Sequence, residues 1–113
     1  MRLDPEALAS LCEKLNADPA FQEAAKKLSG RFIFEVGEDR YFLALEPGRC
    51  AEARPATEAD EAEFVITVDP AALGPGFDPV RALGRGQLKL KKGSLFALMP
   101  YAKAAKAIFK ALA

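Results

Sequence analysis

The stretch RFIFEVGEDRYFLALEPGRCAEAR, residues 31–54, decides the fold. Its apolar residues recur every second position. Phe32, Phe34 and Val36 share one face, while Arg31, Ile33 and Glu35 share the other. Gly37-Glu38-Asp39 reads as a turn, after which Tyr41, Leu43 and Leu45 line one face of a second segment. Pro47-Gly48 turns the chain again into a weaker third segment over 49–54. Period-two alternation broken by tight turns predicts an antiparallel meander.

Towards the N-terminus the period lengthens. Asp4-Pro5 has the form of a helix start, with Leu8, Leu11, Cys12 and Leu15 following at helical spacing. Asp18-Pro19 repeats that cap, and Phe21, Ala24, Ala25 and Leu28 follow until Ser29-Gly30 stops the second helix. Downstream, TEADEAE (57–63) reads as a solvated acidic connection, and AEFVITVD (62–69) as a fourth strand with Phe64, Ile66 and Val68 on one side. A Gly/Pro-punctuated loop over 69–79 leaves room for one helical turn. Asp78-Pro79 caps a short helix through Val80 and Leu83, closed by Gly84. QLKLKK (87–92) is a fifth strand with Leu88 and Leu90 inward. Gly93-Ser94 opens a terminal helix that Pro100 kinks or divides. The expected fold is α+β: a five-stranded, mostly antiparallel sheet with helices covering one face.

A length of 113 residues fits a single domain, expected over 1–113. Half the residues are apolar and 28% charged, the balance of an ordinary globular chain. No apolar run approaches the ~18 residues of a membrane span. The start MRLDPEAL lacks the apolar region of a signal peptide, so a cytoplasmic location is expected. Cys12 and Cys50 are too few for a disulfide framework, and two buried free thiols are expected.

Catalytic constellations fare poorly. There is no histidine, which removes triads, imidazole metal sites and the usual neutral-pH base. GRGQLK (84–89) lacks phosphate-loop spacing and precedes a strand rather than a helix. Zinc has neither His nor a close Cys pair. Asp60, Glu61 and Glu63 come without calcium-loop spacing, so a solvated loop is the reading there. Tyr101 finds Ala105, not a lysine, one turn on, and a nucleophilic Cys12 or Cys50 would have no base. The expectation is a protein that is not an enzyme, with no metal and no cofactor.

Charge and apolar patterning carry more. Net charge is zero, yet all 16 acidic residues lie within 1–78. Residues 79–113 hold Arg81, Arg85, Lys89, Lys91, Lys92, Lys103, Lys106 and Lys110 and no acid. Either this end meets an anionic partner, or the fold interleaves the two parts and the charges pair. The terminal helix places Leu95, Leu98, Ala102, Ala105, Phe109 and Leu112 on one stripe, widened by Met99 and Ile108, with Lys103, Lys106 and Lys110 on another face. Such a helix either docks on an anionic membrane surface or covers a core while its lysines solubilise it. Eight phenylalanines fill a core generously or wall a lipid cavity; composition leaves both open.

DPAFQEAAKKLSGRFIFEV (18–36), YFLALEPG (41–48), AEFVITVD (62–69) and ALGRGQLKLKKGSLFAL (82–98) together resemble the sterol carrier protein type 2 family, the small sterol-binding-domain fold. Gly86, Leu88, Leu90 and Gly93 occupy its Gly-x-Leu-x-apolar strand and the glycine that opens its last helix. The chain departs from that pattern at Ser94, where an acid is frequent, and at Pro100, and its tail AIFKALA is no peroxisomal address. A small bacterial stand-alone member fits best. The resemblance implies non-enzymatic binding or transfer of fatty acids, acyl-CoA, phospholipids or sterols in an apolar tunnel between sheet and helices. On that reading the ligand lies against Phe32, Phe34, Phe64, Ile66, Leu88, Leu90, Leu98, Ala102, Phe109 and Leu112. Its head group, or an anionic membrane, meets Arg81, Arg85, Lys103, Lys106 or Lys110. The alternative is an interaction module of the same fold with a filled cavity. Nucleic acid ranks last, because the strand's exposed positions Gln87, Lys89 and Lys91 lack interleaved aromatics.

Overall fold

Residues 30–55 form the meander their alternation predicts. In the structure, a computed structural model that describes residues 5–73 and 76–112, β1 (Gly30–Val36), β2 (Asp39–Glu46) and β3 (Arg49–Pro55) pair antiparallel in succession. The chain then crosses to the other side of β1, where β4 (Phe64–Val68) pairs with it in parallel. β5 (Leu88–Lys92) adds antiparallel, giving the order β3-β2-β1-β4-β5. The fold is α+β, with every strand pairing but β1–β4 antiparallel.

The helices are α1 (Pro5–Asn16), α2 (Pro19–Ala24), α3 (Pro79–Gly84), α4 (Leu95–Leu98) and α5 (Ala102–Leu112), with 3-10 turns at Pro70–Ala72 and Met99–Tyr101. The Asp-Pro pairs work as caps. Asp18, Asp69 and Asp78 accept hydrogen bonds from the backbone N–H of Ala20, Ala71 and Val80 at 2.9, 3.0 and 2.9 Å. Asp4 lies outside the described residues. α2 is shorter than its apolar spacing predicts and ends at Ala24. The Ala25 carbonyl, which a continuing helix would offer to Ser29, accepts instead from Leu28 N at 2.9 Å and from Gly48 N of the β2–β3 turn at 2.8 Å. Pro100 divides the terminal helix: α4 and α5 flank the 3-10 turn that contains it.

The two sheet faces are covered differently. Phe32, Leu43, Leu45, Phe64, Ile66, Val68 and Leu88 pack beneath the helices against Leu11, Leu15, Phe21, Ala104, Ile108 and Phe109. On the reverse, Ile33 and Phe42 form a small cluster with Ala62 of the β3–β4 connection. Arg54 clamps that connection. Its guanidinium stands 4.5 Å from the Phe42 ring centroid and donates to both carboxylate oxygens of Asp60 at 2.8 and 2.7 Å. Hydrogen bonds from Arg54, then from the Thr57 N–H, hold the Asp60 carboxyl well below the usual carboxylate range. The connection over 57–63 is solvated as expected at Thr57, Glu58, Ala59, Glu61 and Glu63, and departs from that expectation at Asp60 and Ala62, which turn inward. Among the described residues no acidic cluster is arranged to hold a metal ion.

The cysteines also differ from expectation. Cys12 and Cys50 are not free thiols but a disulfide joining α1 to β3, with Cα atoms 5.0 Å apart. Their 38-residue separation in sequence says nothing of distance in space. What brings them together is the seating of α1 along the edge strand. Asn16 at the end of α1 donates from Nδ2 to the Cys50 carbonyl at 3.0 Å and accepts from the Cys50 N–H at 2.7 Å. The amide thereby satisfies the backbone of an unpaired sheet edge.

Candidate functional site: an apolar cavity under the last helices

Between the sheet and the C-terminal helices lies a cavity of about 310 Å³. Its floor is Phe32 and Phe34 of β1, Leu45 of β2, Ile66 of β4 and Leu88 of β5. One wall is Pro79, Val80 and Leu83 of α3. The roof is Leu95 and Leu98 of α4, Met99 and Tyr101 of the 3-10 turn, and Ala102, Ala104, Ala105, Ile108 and Phe109 of α5. Strand alternation aims the floor residues inward, and steps of three and four do the same on α5. Small residues at 102, 104 and 105 leave the space that larger ones would fill.

Among the described residues the lining holds no charged side chain. The one polar side chain among the described lining residues, Tyr101, turns its hydroxyl away to donate to the Ser29 carbonyl at 2.5 Å, just before β1. Burial, and then the Glu63 carboxylate, push that hydroxyl's pKa up, so it stays a donor. The Tyr101 ring stands edge-on to Phe32 and Phe64, with centroids 5.1 and 5.6 Å apart, and so bolts the roof to the sheet. Phe109 does the same farther along, edge-on to Phe34 at 5.7 Å and to Phe77 at 4.7 Å.

Of the expected ligand contacts, Phe32, Phe34, Ile66, Leu88, Leu98, Ala102 and Phe109 line this cavity. Phe64 and Leu90 do not. Phe64 faces the same side but is stacked on Phe32 and covered by Tyr101, and Leu90 packs into the core. The Leu112 side chain lies outside what the structure describes. Sequence reasoning missed Leu45, Pro79, Val80, Leu83, Leu95, Met99, Tyr101, Ala104, Ala105 and Ile108 as ligand contacts, though Leu45 alternates with Leu43, and Leu95, Met99, Ala105 and Ile108 sit on the helix stripe.

Gly93, which turns β5 into α4, shapes the roof's approach. Its φ of +102° belongs to glycine, and a Cβ there would stand 2.6 Å from the Phe64 ring and 2.9 Å from the Glu63 carbonyl. Glu63 holds the other end of this corner, accepting from the Arg31 N–H at 2.7 Å.

The head-group candidates are not in the cavity. Arg81 and Arg85 are exposed on and just after α3, and Lys103, Lys106 and Lys110 are exposed on the outer face of α5. The charges of the two parts of the chain mostly do not pair. Lys91 meets Glu35 at 3.2 Å, while Arg81, Arg85, Lys89, Lys92, Lys103, Lys106 and Lys110 make no ion pair among the described residues.

Several solved structures are similar over nearly the whole chain. A crystal structure of sterol carrier protein 2 is 33% identical over 96% of this chain and 95% of its own, with a TM-score of 0.85. A conserved hypothetical protein of Thermus thermophilus, described as a possible sterol carrier protein, is 32% identical over 99% of this chain and 87% of its own, with a TM-score of 0.84. Palmitated SCP2L2 from Aedes aegypti shares the fold at 19% identity, covering 94% of this chain and 95% of its own, with a TM-score of 0.62. No family model matches the chain, and no curated protein matches it.

Proposed function

This chain belongs to the sterol carrier protein 2 family, and on that premise we propose that it binds and carries single-chain lipids, with an acyl chain as the buried part. The observation that carries the reading is the cavity: 310 Å³ of space walled by apolar side chains, where a filled core would have served stability alone. A cavity of ~150 Å³ takes a benzene ring, so this one has room for about a dozen carbon atoms. Removing each methylene from water contributes about 0.8 kcal/mol, which makes a micromolar or tighter Kd reachable after the entropy of association is subtracted. Because the described lining residues offer no partner for a charged or strongly polar group, the head group stays at the mouth. The palmitate of the Aedes protein belongs to that protein; for this chain it supports an acyl ligand over a bulkier one.

The test is a titration of the Phe34→Trp variant with cis-parinaric acid. Saturable quenching with one site per chain is the expected result. A folded protein that shows no response would move the reading to the interaction module.

A further inference from the structure

The outer side of the roof carries a pattern that cavity binding leaves mostly unused, with Met99 at the rim both lining the cavity and reaching solvent. Phe96, Met99, Lys103, Lys106 and Lys110 follow one another at steps of three, four, three and four, and all are exposed. Lys103, Lys106 and Lys110 share one face of α5, and Phe96 on α4 and Met99 in the 3-10 turn precede them along a backbone that is right-handed helical at Leu98, Met99 and Ala102. Phe96 is 84% exposed and Met99 64%, and Val80 across the cavity mouth is 61% exposed. Large apolar side chains so exposed, beside cations that have no ion-pair partner among the described residues, mark a contact surface.

We propose that this stripe docks on the surface of a bilayer containing anionic lipid, with Phe96 and Met99 entering the acyl boundary and the three lysines lying over the head groups. The inference rests on the carrier reading, since it sets the cavity mouth against the source of its ligand. A second copy of the chain is the wrong occupant. Residues 79–113 contain no acid, so a two-fold contact would bring lysines against lysines. A bilayer supplies both things the stripe asks for, negative charge and an apolar layer beneath it.

Co-sedimentation with vesicles tests this, using phosphatidylcholine alone or with a quarter phosphatidylserine. Each lysine near an anionic surface strengthens binding about fivefold, so three give a preference of roughly 100-fold for the anionic vesicles at low salt. Added salt should erode it as the Debye length falls below ~10 Å. Lys103→Glu with Lys106→Glu should weaken anionic binding by at least ~25-fold, and Phe96→Ser by about tenfold. Unchanged thermal midpoints would show both variants folded. Phe96→Ser should still bind cis-parinaric acid without vesicles as the wild type does. Equal binding to both vesicle types, or binding indifferent to Phe96→Ser, would overturn the proposal. So would equally tight binding to soluble polyglutamate, which would identify an acidic polypeptide as the occupant. Ligand binding by a wild type that ignores vesicles would overturn docking alone. Failure to bind cis-parinaric acid would instead strike the carrier reading.

Discussion

Replacing Ala105 with Trp should abolish most lipid binding while leaving the protein folded. Ala105 lies at the centre of the α5 lining face, between Tyr101–Ala102 and Ile108–Phe109. An indole placed there takes up at least the ~150 Å³ of a benzene-sized cavity, half of the space or more. That removes room for about five or six carbons at about 0.8 kcal/mol each, roughly 1,000-fold in Kd. Overpacking usually costs about 1–3 kcal/mol because a filled core has nowhere to yield. Here the space exists, so the denaturant midpoint should hold or rise. Wild-type affinity in a folded Ala105→Trp protein would place the ligand elsewhere.

The largest stability change should come from the disulfide. Cys12 and Cys50 close a 38-residue span, for which chain-entropy arguments give between about 3 and 4.7 kcal/mol. Against a typical total of about 5–15 kcal/mol, that is a large share. Reductant-treated wild type and Cys12→Ser should therefore unfold at similar, much lower denaturant concentrations than the oxidised protein. α1 and the edge strand β3 should be the first elements to lose hydrogen-exchange protection, since the bond and Asn16 fasten one to the other. An unchanged midpoint on reduction would mean that the packing of Leu8, Leu11 and Leu15 alone holds α1.

Local chemistry made much of this fold legible in the sequence. Alternation over 31–46 and 64–68, and the Asp-Pro caps at 18 and 78, are decided within a few residues, and the structure follows them. What escaped depends on distant partners. The end of α2 is set by Gly48, more than twenty residues away, which takes the Ala25 carbonyl. The disulfide depends on α1 lying along β3, and the inward turn of Asp60 depends on Arg54 being stacked over Phe42. The site divides the same way. Periodicity assigned Phe32, Phe34, Phe64 and Ile66 to one face, but only packing decides that Tyr101 covers Phe64 while Phe32 and Phe34 face open space. The outer stripe was half visible. The three lysines stood out by spacing, whereas Phe96 becomes part of it only once exposure separates it from the roof's inner face, and Met99 proves to line the cavity and reach solvent at once.

The central claim is that this space holds an acyl chain, and a ladder of saturated fatty acids from six to eighteen carbons tests it most directly. Displacement of cis-parinaric acid gives a Kd for each. The cavity predicts a fall of about fourfold per added carbon until about a dozen are buried, then a plateau as further carbons emerge past Leu95, Met99 and Val80. Affinities that do not change with chain length, or no displacement at any length, would contradict it.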